Sequence, residues 1–113
     1  MTQHSTLSPE RWSAFNLDQQ ILMIGTEMHR AAKLMQPENE RLLKHCYERV
    51  LSLVDLTVEV NSRPTLRREL LLWRGVIEGL SISPVPDPDG HAAAFRVLLL
   101  FTPVAAQQIP YVL

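Results

Sequence analysis

Cysteine is almost absent from this sequence, and its scarcity limits both the covalent structure and the compartment. Cys46 stands alone among 113 residues, so an intrachain disulfide is excluded. The first residues, MTQHSTLSPERW, also lack the basic and then apolar order of a secretion signal. The two absences predict a protein of the reducing cytoplasm.

The sequence has no excess of charge of either sign and no long apolar run. Eleven Lys and Arg stand against twelve Asp and Glu, a formal net charge of −1, which gives no overall field to recruit nucleic acid or an acidic membrane. Residues 92–106 form the longest apolar stretch, but they include Arg96 and Pro103 and fall short of the roughly 20 residues that a membrane span needs. We therefore expect no membrane anchor, and composition does not favour a nucleic-acid partner.

Hydrophobic residues are plentiful, at 46%, and charged residues make up 20%, which is typical of a folded globular protein. The length suits one domain over residues 1–113. Its start, 1–7, is polar and expected to be flexible. Trp12 and Phe15 follow on a short turn and would cover one end of a core, after which Asn16 is predicted to cap a helix.

Three amphipathic segments dominate the first two thirds of the chain. They span 17–36, 39–61 and 64–80, and their apolar residues recur at steps of three and four, which predicts helices. Gly25 inside the first segment suggests that a neighbouring helix approaches closely. The predicted fold is all-α, an antiparallel three- to four-helix bundle with an apolar C-terminal helix or tail.

The last third of the chain is harder to interpret. Residues 81–90 contain three prolines and predict a loop, and 91–113 are predicted to be an apolar helix and tail. A strand paired with Ser81–Val85 is an alternative for 91–105. Residues Val97–Phe101 are apolar on every side of a helix, so one side should meet a second copy or another protein. The interface residues predicted from this pattern are Phe95, Leu98, Leu99 and Phe101.

Charged residues are expected to meet between the three helices. If successive helices run in opposite directions, Glu27 lies level with Glu48 and Arg49, and Arg49 lies level with residues 76–78. The simplest interpretation is a structural network that fixes helix register, and a ligand or catalytic site is the alternative. This predicted polar seam comprises Glu27, Arg30, Glu48, Arg49, Arg74 and Glu78.

Arginines concentrate on the third helix, where three of them share one face and form a possible anion patch: Arg63, Arg67 and Arg74. Arg67 and Arg68 lie near a helix N-terminus, which disfavours cations, so we expect Asp55 and Glu59 to neutralise them. Phosphate or RNA contact is the alternative, although no aromatic stacking platform accompanies the arginines.

Neither a metal site nor a cofactor is predicted. A helical dimetal centre needs Glu-x-x-His motifs, whereas here His45 precedes Glu48. Cys46 lies in an apolar stripe between Leu42 and Val50, which is typical of a buried small hydrophobe. The histidines are expected to be solvated surface groups: His4, His29, His45 and His91.

Four motifs carry a resemblance to a known family. They are Trp-x-x-Phe-x-Leu from Trp12, Gln-x-Leu-x-Ile-Gly-x-Glu-x-x-Arg-Ala from Gln20, Glu-Arg-x-Leu-x-Leu-x-Asp-Leu-Thr from Glu48, and Arg-Glu-Leu-x-x-x-Arg from Arg68. Over about residues 12–78 the chain resembles a family of small, uncharacterised bacterial proteins. The family tends to continue with an Arg-Glu pair where Gly75 stands here. The resemblance implies a helical bundle and no known activity.

Two functional hypotheses follow. The first is a non-enzymatic module that self-associates or binds another protein through its C-terminal apolar segment. The second is a small RNA- or nucleotide-directed protein of the toxin–antitoxin sort. Helical nucleases of the HEPN kind place four to six residues between an Arg and a His, whereas Arg41 and His45 have three between them.

Overall fold

The computed structural model describes residues 7–113. Of the predicted flexible start at 1–7, only Leu7 is therefore described, and it packs against the core. All regular elements within 7–113 are helical, which confirms the all-α class, and the strand alternative for 91–105 is not realised. The elements are α1 (Pro9–Ser13), α2 (Leu17–Ala32), a 3-10 turn at Pro37–Asn39, α3 (Glu40–Val60), α4 (Pro64–Ile82), α5 (Pro88–Leu99), α6 (Pro103–Ala106) and α7 (Ile109–Val112).

Side-chain caps and prolines decide where the helices begin. Asn16 and Gln19 form a capping box before α2, in which each side chain accepts a hydrogen bond from the other residue's backbone N–H at 2.9 Å. Asp87 caps α5 by accepting from the Gly90 backbone N–H at 2.9 Å. Proline occupies the first helical position of α4 and of α5, where its fixed φ suits the helix.

Helix ends differ from the predicted boundaries for local reasons. α2 ends at Ala32 rather than at 36, and Gln36, the residue before Pro37, is extended. α4 continues to Ile82 and α5 already begins at Pro88. The loop therefore covers 83–87 instead of 81–90.

The core lies between the four long helices. α2 packs against α3 and α5, and α4 packs against α3 and α5. Trp12 of α1 is fully buried and donates through Nε1 to Thr57 Oγ1 at 3.0 Å, so α1 closes one end of the core. Gln20 holds that closure by donating through Nε2 to the Trp12 and Phe15 carbonyls. Trp73 is also buried, and its Nε1–H donates to the Ala94 carbonyl at 2.8 Å.

Candidate functional site

The Glu27 carboxylate of α2 is the centre of a charged cluster. Arg30 donates to it through Nη1 at 2.9 Å, and Arg49 of α3 donates through Nε at 2.8 Å. The Glu27 side chain is only 11% exposed. Arg49 also donates through Nη2 to the Cys46 sulfur at 3.2 Å. Three predicted seam residues, Glu27, Arg30 and Arg49, therefore meet and join α2 to α3.

This cluster offers no activated nucleophile. The Cys46 side chain is fully buried, and burial raises the pKa of its thiol despite the opposing influence of Arg49. Hydrogen bonding to Glu27 raises the pKa of Arg49, so that guanidinium stays charged. A protonated thiol beside a satisfied ion pair is suited to fixing helix register and not to covalent chemistry.

The other half of the predicted seam lies elsewhere. Arg74 of α4 donates to Asp55 at 2.7 Å and to Glu78 at 2.7 Å, so it pairs with the outer part of α3 and with its own helix. Glu48 is exposed and forms no ion pair within residues 7–113. The prediction of one continuous seam is therefore wrong, because the α2–α3 and α3–α4 contacts use different faces of α3.

The predicted anion patch is also divided. Arg67 donates through Nε to the carbonyls of Val58 and Asn61, at 2.9 and 2.6 Å, and through Nη2 to the Glu59 carbonyl at 3.4 Å. Its partners are thus carbonyls at the end of α3, and the expected Asp55 and Glu59 carboxylates were the wrong groups. Such carbonyls carry the negative end of the helix dipole and suit a cation.

The contacts of Arg67 and Arg74 leave few cationic groups of the predicted patch free to bind an anion. Arg74 is committed to two carboxylates and Arg67 to three carbonyls, so both cations are already partnered within the chain. Arg63 is exposed at the start of α4. A single member of the predicted patch without a partner within residues 7–113 does not form a phosphate site.

His91 is buried, so the prediction that it lies at the surface is wrong. It is only 2% exposed. Its Nε2 lies 2.8 Å from the Met28 carbonyl and its Nδ1 lies 2.8 Å from the Tyr47 hydroxyl. Because a carbonyl only accepts, Nε2 carries the hydrogen and Nδ1 accepts from Tyr47. This hydrogen-bonded chain joins α5 to α2 and α3.

Burial keeps both members of that chain neutral. It lowers the pKa of His91 below its ordinary value and raises the pKa of Tyr47 to about 12, since the charged forms lose hydration. Of the other predicted surface histidines, His45 is exposed, His29 is half-buried, and His4 lies outside the described residues.

Arg41 and His45 do lie together, in a shallow depression of about 310 Å³ on α3. Glu40, Lys44 and Glu48 line the same depression. The two carboxylates offset the charges of Arg41 and Lys44, so the depression has no excess positive charge to attract a phosphodiester.

The C-terminal apolar segment presents a different face from the predicted one. Phe95, Leu98 and Leu99 are at most 2% exposed and belong to the core, and Phe101 is half-buried. The first three residues therefore cannot form an interface. The large apolar residues exposed between Phe95 and Phe101 are Val97 of α5 and Leu100, which directly follows the helix.

Exposed residues of α4 extend this apolar region. We define the α4–α5 surface as the groove between the two helices together with the exposed large apolar side chains that line it. Its exposed members are Leu72 (65%), Val76 (51%), Val97 (51%) and Leu100 (60%).

The groove has two adjoining parts that share Glu69, Val97 and Phe101. The part of about 660 Å³ is lined by the start of α4 and the end of α5, and the part of about 310 Å³ by later α4 and earlier α5. Further lining residues are Arg63, Pro64, Thr65, Leu66 and Leu100 in the larger part, and Leu72, Trp73, Val76, Gly90, Ala93 and Ala94 in the smaller part.

Within 7–113, no three His, Cys, Asp or Glu side chains are grouped so that they could hold a metal ion. No helix in that range combines the length and the apolar character needed to cross a membrane.

Comparison with known proteins leaves the site to be interpreted from its own geometry. Neither a family model, nor a curated protein, nor a solved structure matches the chain. The resemblance to small bacterial helical-bundle proteins thus stays a prediction.

Proposed function

We propose that this protein is a non-enzymatic, cytoplasmic protein-interaction module that binds protein through its α4–α5 surface. The observation that carries the proposal is the contiguous apolar exposure of Leu72, Val76, Val97 and Leu100 beside a groove. Large contiguous apolar patches on the surface of soluble proteins mark interaction sites. Within residues 7–113 the polar clusters are internally satisfied and supply no nucleophile or metal site.

A bundle of antiparallel helices is part of this proposal. Arg74 of α4 reaches back to Asp55 of α3, and Arg67 reaches the carbonyl of Val58, as expected where the chain reverses at residues 61–63. Early α4 residues line the groove with late α5 residues, as Leu66 does with Val97. In such a bundle α5 packs against α2 and α4, so its remaining side is free to meet a partner.

Site-specific photo-crosslinking in the native host cells tests the proposal. A benzophenone amino acid at position 97 should give a discrete crosslinked protein product, because Val97 lies on the α4–α5 surface. The matched control carries the same group at position 42, since Leu42 is 55% exposed on α3 and lines neither part of the groove. Absence of a position-97 product, or equal products at both positions, would contradict the function.

A further inference from the structure

We propose that the partner at the α4–α5 surface is a second copy of this chain, bound about a twofold axis that crosses the groove at right angles. The inference rests on the proposed function and names its partner. In this arrangement α5 packs against α5 of the second copy in the opposite direction, and α4 packs against the second α4 in the same way. Each copy contributes the same patch, as a twofold interface requires.

Charge along α5 is the first argument for this arrangement. Asp89 near its start and Arg96 near its end are both exposed, and neither forms an ion pair within residues 7–113. They are seven residues apart, close to two helical turns, so they lie on the same side of the helix. Reversing α5 about a point midway between them places Asp89 against Arg96 of the second copy, and the reverse pair forms by symmetry.

The small residues between those charges permit close contact. The midpoint of Asp89 and Arg96 falls at Ala92 and Ala93, both exposed. Two helices that cross at alanines can approach closely without side chains to displace. Val97 and Leu100 follow this midpoint in the chain and are exposed, so the second copy would cover them.

The register of α4 provides an independent argument. Val76 and Gly90 line the same part of the groove, and the Trp73 indole donates to the Ala94 carbonyl, which brings position 73 close to position 94. The level of Ala92–Ala93 on α5 therefore corresponds to about position 74 on α4. That position is midway between Leu72 and Val76, so the same axis brings Leu72 of one copy against Val76 of the other. One axis thus pairs the charges of α5 and the exposed apolar residues of α4.

A different protein as partner would not explain the symmetric arrangement of Asp89 and Arg96. An amphipathic helix docked in the groove could cover Val97 and Leu100, but it would not require that acid and base be spaced evenly about the apolar centre. A second copy accounts for both features, and it is the occupant to which the charge pattern is complementary.

Charge reversal on the full chain tests the pairing. Light scattering after size exclusion should find a dimer for the natural sequence. Asp89→Arg and Arg96→Asp should each weaken dimerisation by about tenfold, because each reverses both pairs of the interface. The double variant Asp89→Arg/Arg96→Asp should recover affinity to within about threefold, since it restores opposite charges. Glu48→Arg, an equal charge change on exposed α3, should leave the dimer unchanged.

A disulfide experiment tests the twofold arrangement even if the charge reversal Asp89→Arg at the start of α5 prevents folding. Ala93→Cys should form an intermolecular disulfide on mild oxidation. Residues near a twofold axis lie close to the same residues of the second copy, and a disulfide needs Cα atoms about 4.4–6.8 Å apart. Ser52→Cys on exposed α3 is the control. The native Cys46 is fully buried and should not react.

The outcomes separate this inference from the proposed function. A monomer at all concentrations would overturn the twofold dimer, and the proposed function would still stand if position 97 crosslinked a different protein. A dimer that ignores the charge reversals and leaves Ala93→Cys unlinked would also overturn the arrangement. Rescue by the double variant together with the Ala93→Cys disulfide would support it.

Discussion

Glu27 is the residue whose removal should disturb the charged cluster most. Its carboxylate accepts from both Arg30 and Arg49, and without it Arg49 would lose its anionic partner while remaining half-buried. We expect Glu27→Ala to lower the free energy of unfolding by about 1–3 kcal/mol, the cost of leaving a charged hydrogen-bonding group unsatisfied. Urea unfolding at pH 7 measures the change.

Glu48→Ala is the control for that variant. Glu48 was predicted to belong to the same seam, but it is exposed, so its removal should change stability by less than about 0.5 kcal/mol. Equal losses for the two variants would show that the seam is continuous after all.

His91 should make stability depend on pH. Burial lowers its pKa in the folded state below the ordinary value of 6.5, so below pH 6.5 the unfolded chain binds more protons than the folded one. Stability must therefore fall as the pH decreases through 6.5. We expect the urea midpoint to drop between pH 7.5 and 5.5, and His91→Gln to show a smaller drop.

The variant also has a cost at neutral pH. His91→Gln should lose about 1–3 kcal/mol at pH 7.5, because the Met28 carbonyl and the Tyr47 hydroxyl are buried with it. His45→Gln, at an exposed position, should match the natural protein at both pH values. A natural protein whose stability is the same at pH 5.5 and 7.5 would contradict a buried neutral His91.

At the scale of helices, Gly25 marks where α2 and α5 meet. A methyl group at position 25 would lie 3.5 Å from Phe95 Cε1 and 3.6 Å from Leu99 Cδ2, which is ordinary contact. We expect Gly25→Ala to raise the free energy of unfolding by about 0.5–1 kcal/mol, since alanine favours the helix. Gly25→Leu should lower it by about 1–3 kcal/mol by pushing α5 away.

Gly75 is the reference for the propensity gain alone, because nothing lies within 4 Å of a methyl group there. Gly75→Ala should stabilise by a similar amount to Gly25→Ala when both are compared by urea unfolding. If only Gly25→Ala destabilised, α5 would have to pack more tightly on α2 than these distances allow.

The helices could be predicted from sequence because each depends on residues close together in the chain. Apolar spacing, the Asn16 cap and Pro64 all act within a few positions, and they predicted the start of α2 and of α4. The outward side of α5 could not be read in this way. With apolar residues on every side, its rotation is decided by where α2 and α4 lie, so Phe95 and Leu99 turned inward and Val97 turned outward.

The same limit applies to the polar sites. Arg30 lies three residues from Glu27, and that pair follows from helix geometry. His91 lies 44 residues from Tyr47 and 63 from Met28 in the chain. No local signal distinguishes such a histidine from a surface one, because its partners are chosen by the packing of three helices.

At the scale of the whole molecule, dimerisation should make thermal stability depend on protein concentration. When folded monomers associate and unfolded chains do not, each tenfold rise in concentration favours the dimer by about 1.4 kcal/mol. For a domain of about 100 residues this corresponds to a rise in Tm of a few degrees. Calorimetry over a hundredfold concentration range should therefore show a steady increase for the natural sequence.

Leu72→Asp should abolish that increase without unfolding the monomer. Leu72 is 65% exposed, so a carboxylate there stays hydrated in the monomer, whereas in the dimer it would be buried against apolar side chains without a partner. Leu42→Asp makes the same change at a position 55% exposed on α3 and should keep the concentration dependence. A Tm that is independent of concentration in the natural protein would mean that it melts as a monomer, and an equal effect of both variants would mean that the contact lies outside the α4–α5 surface.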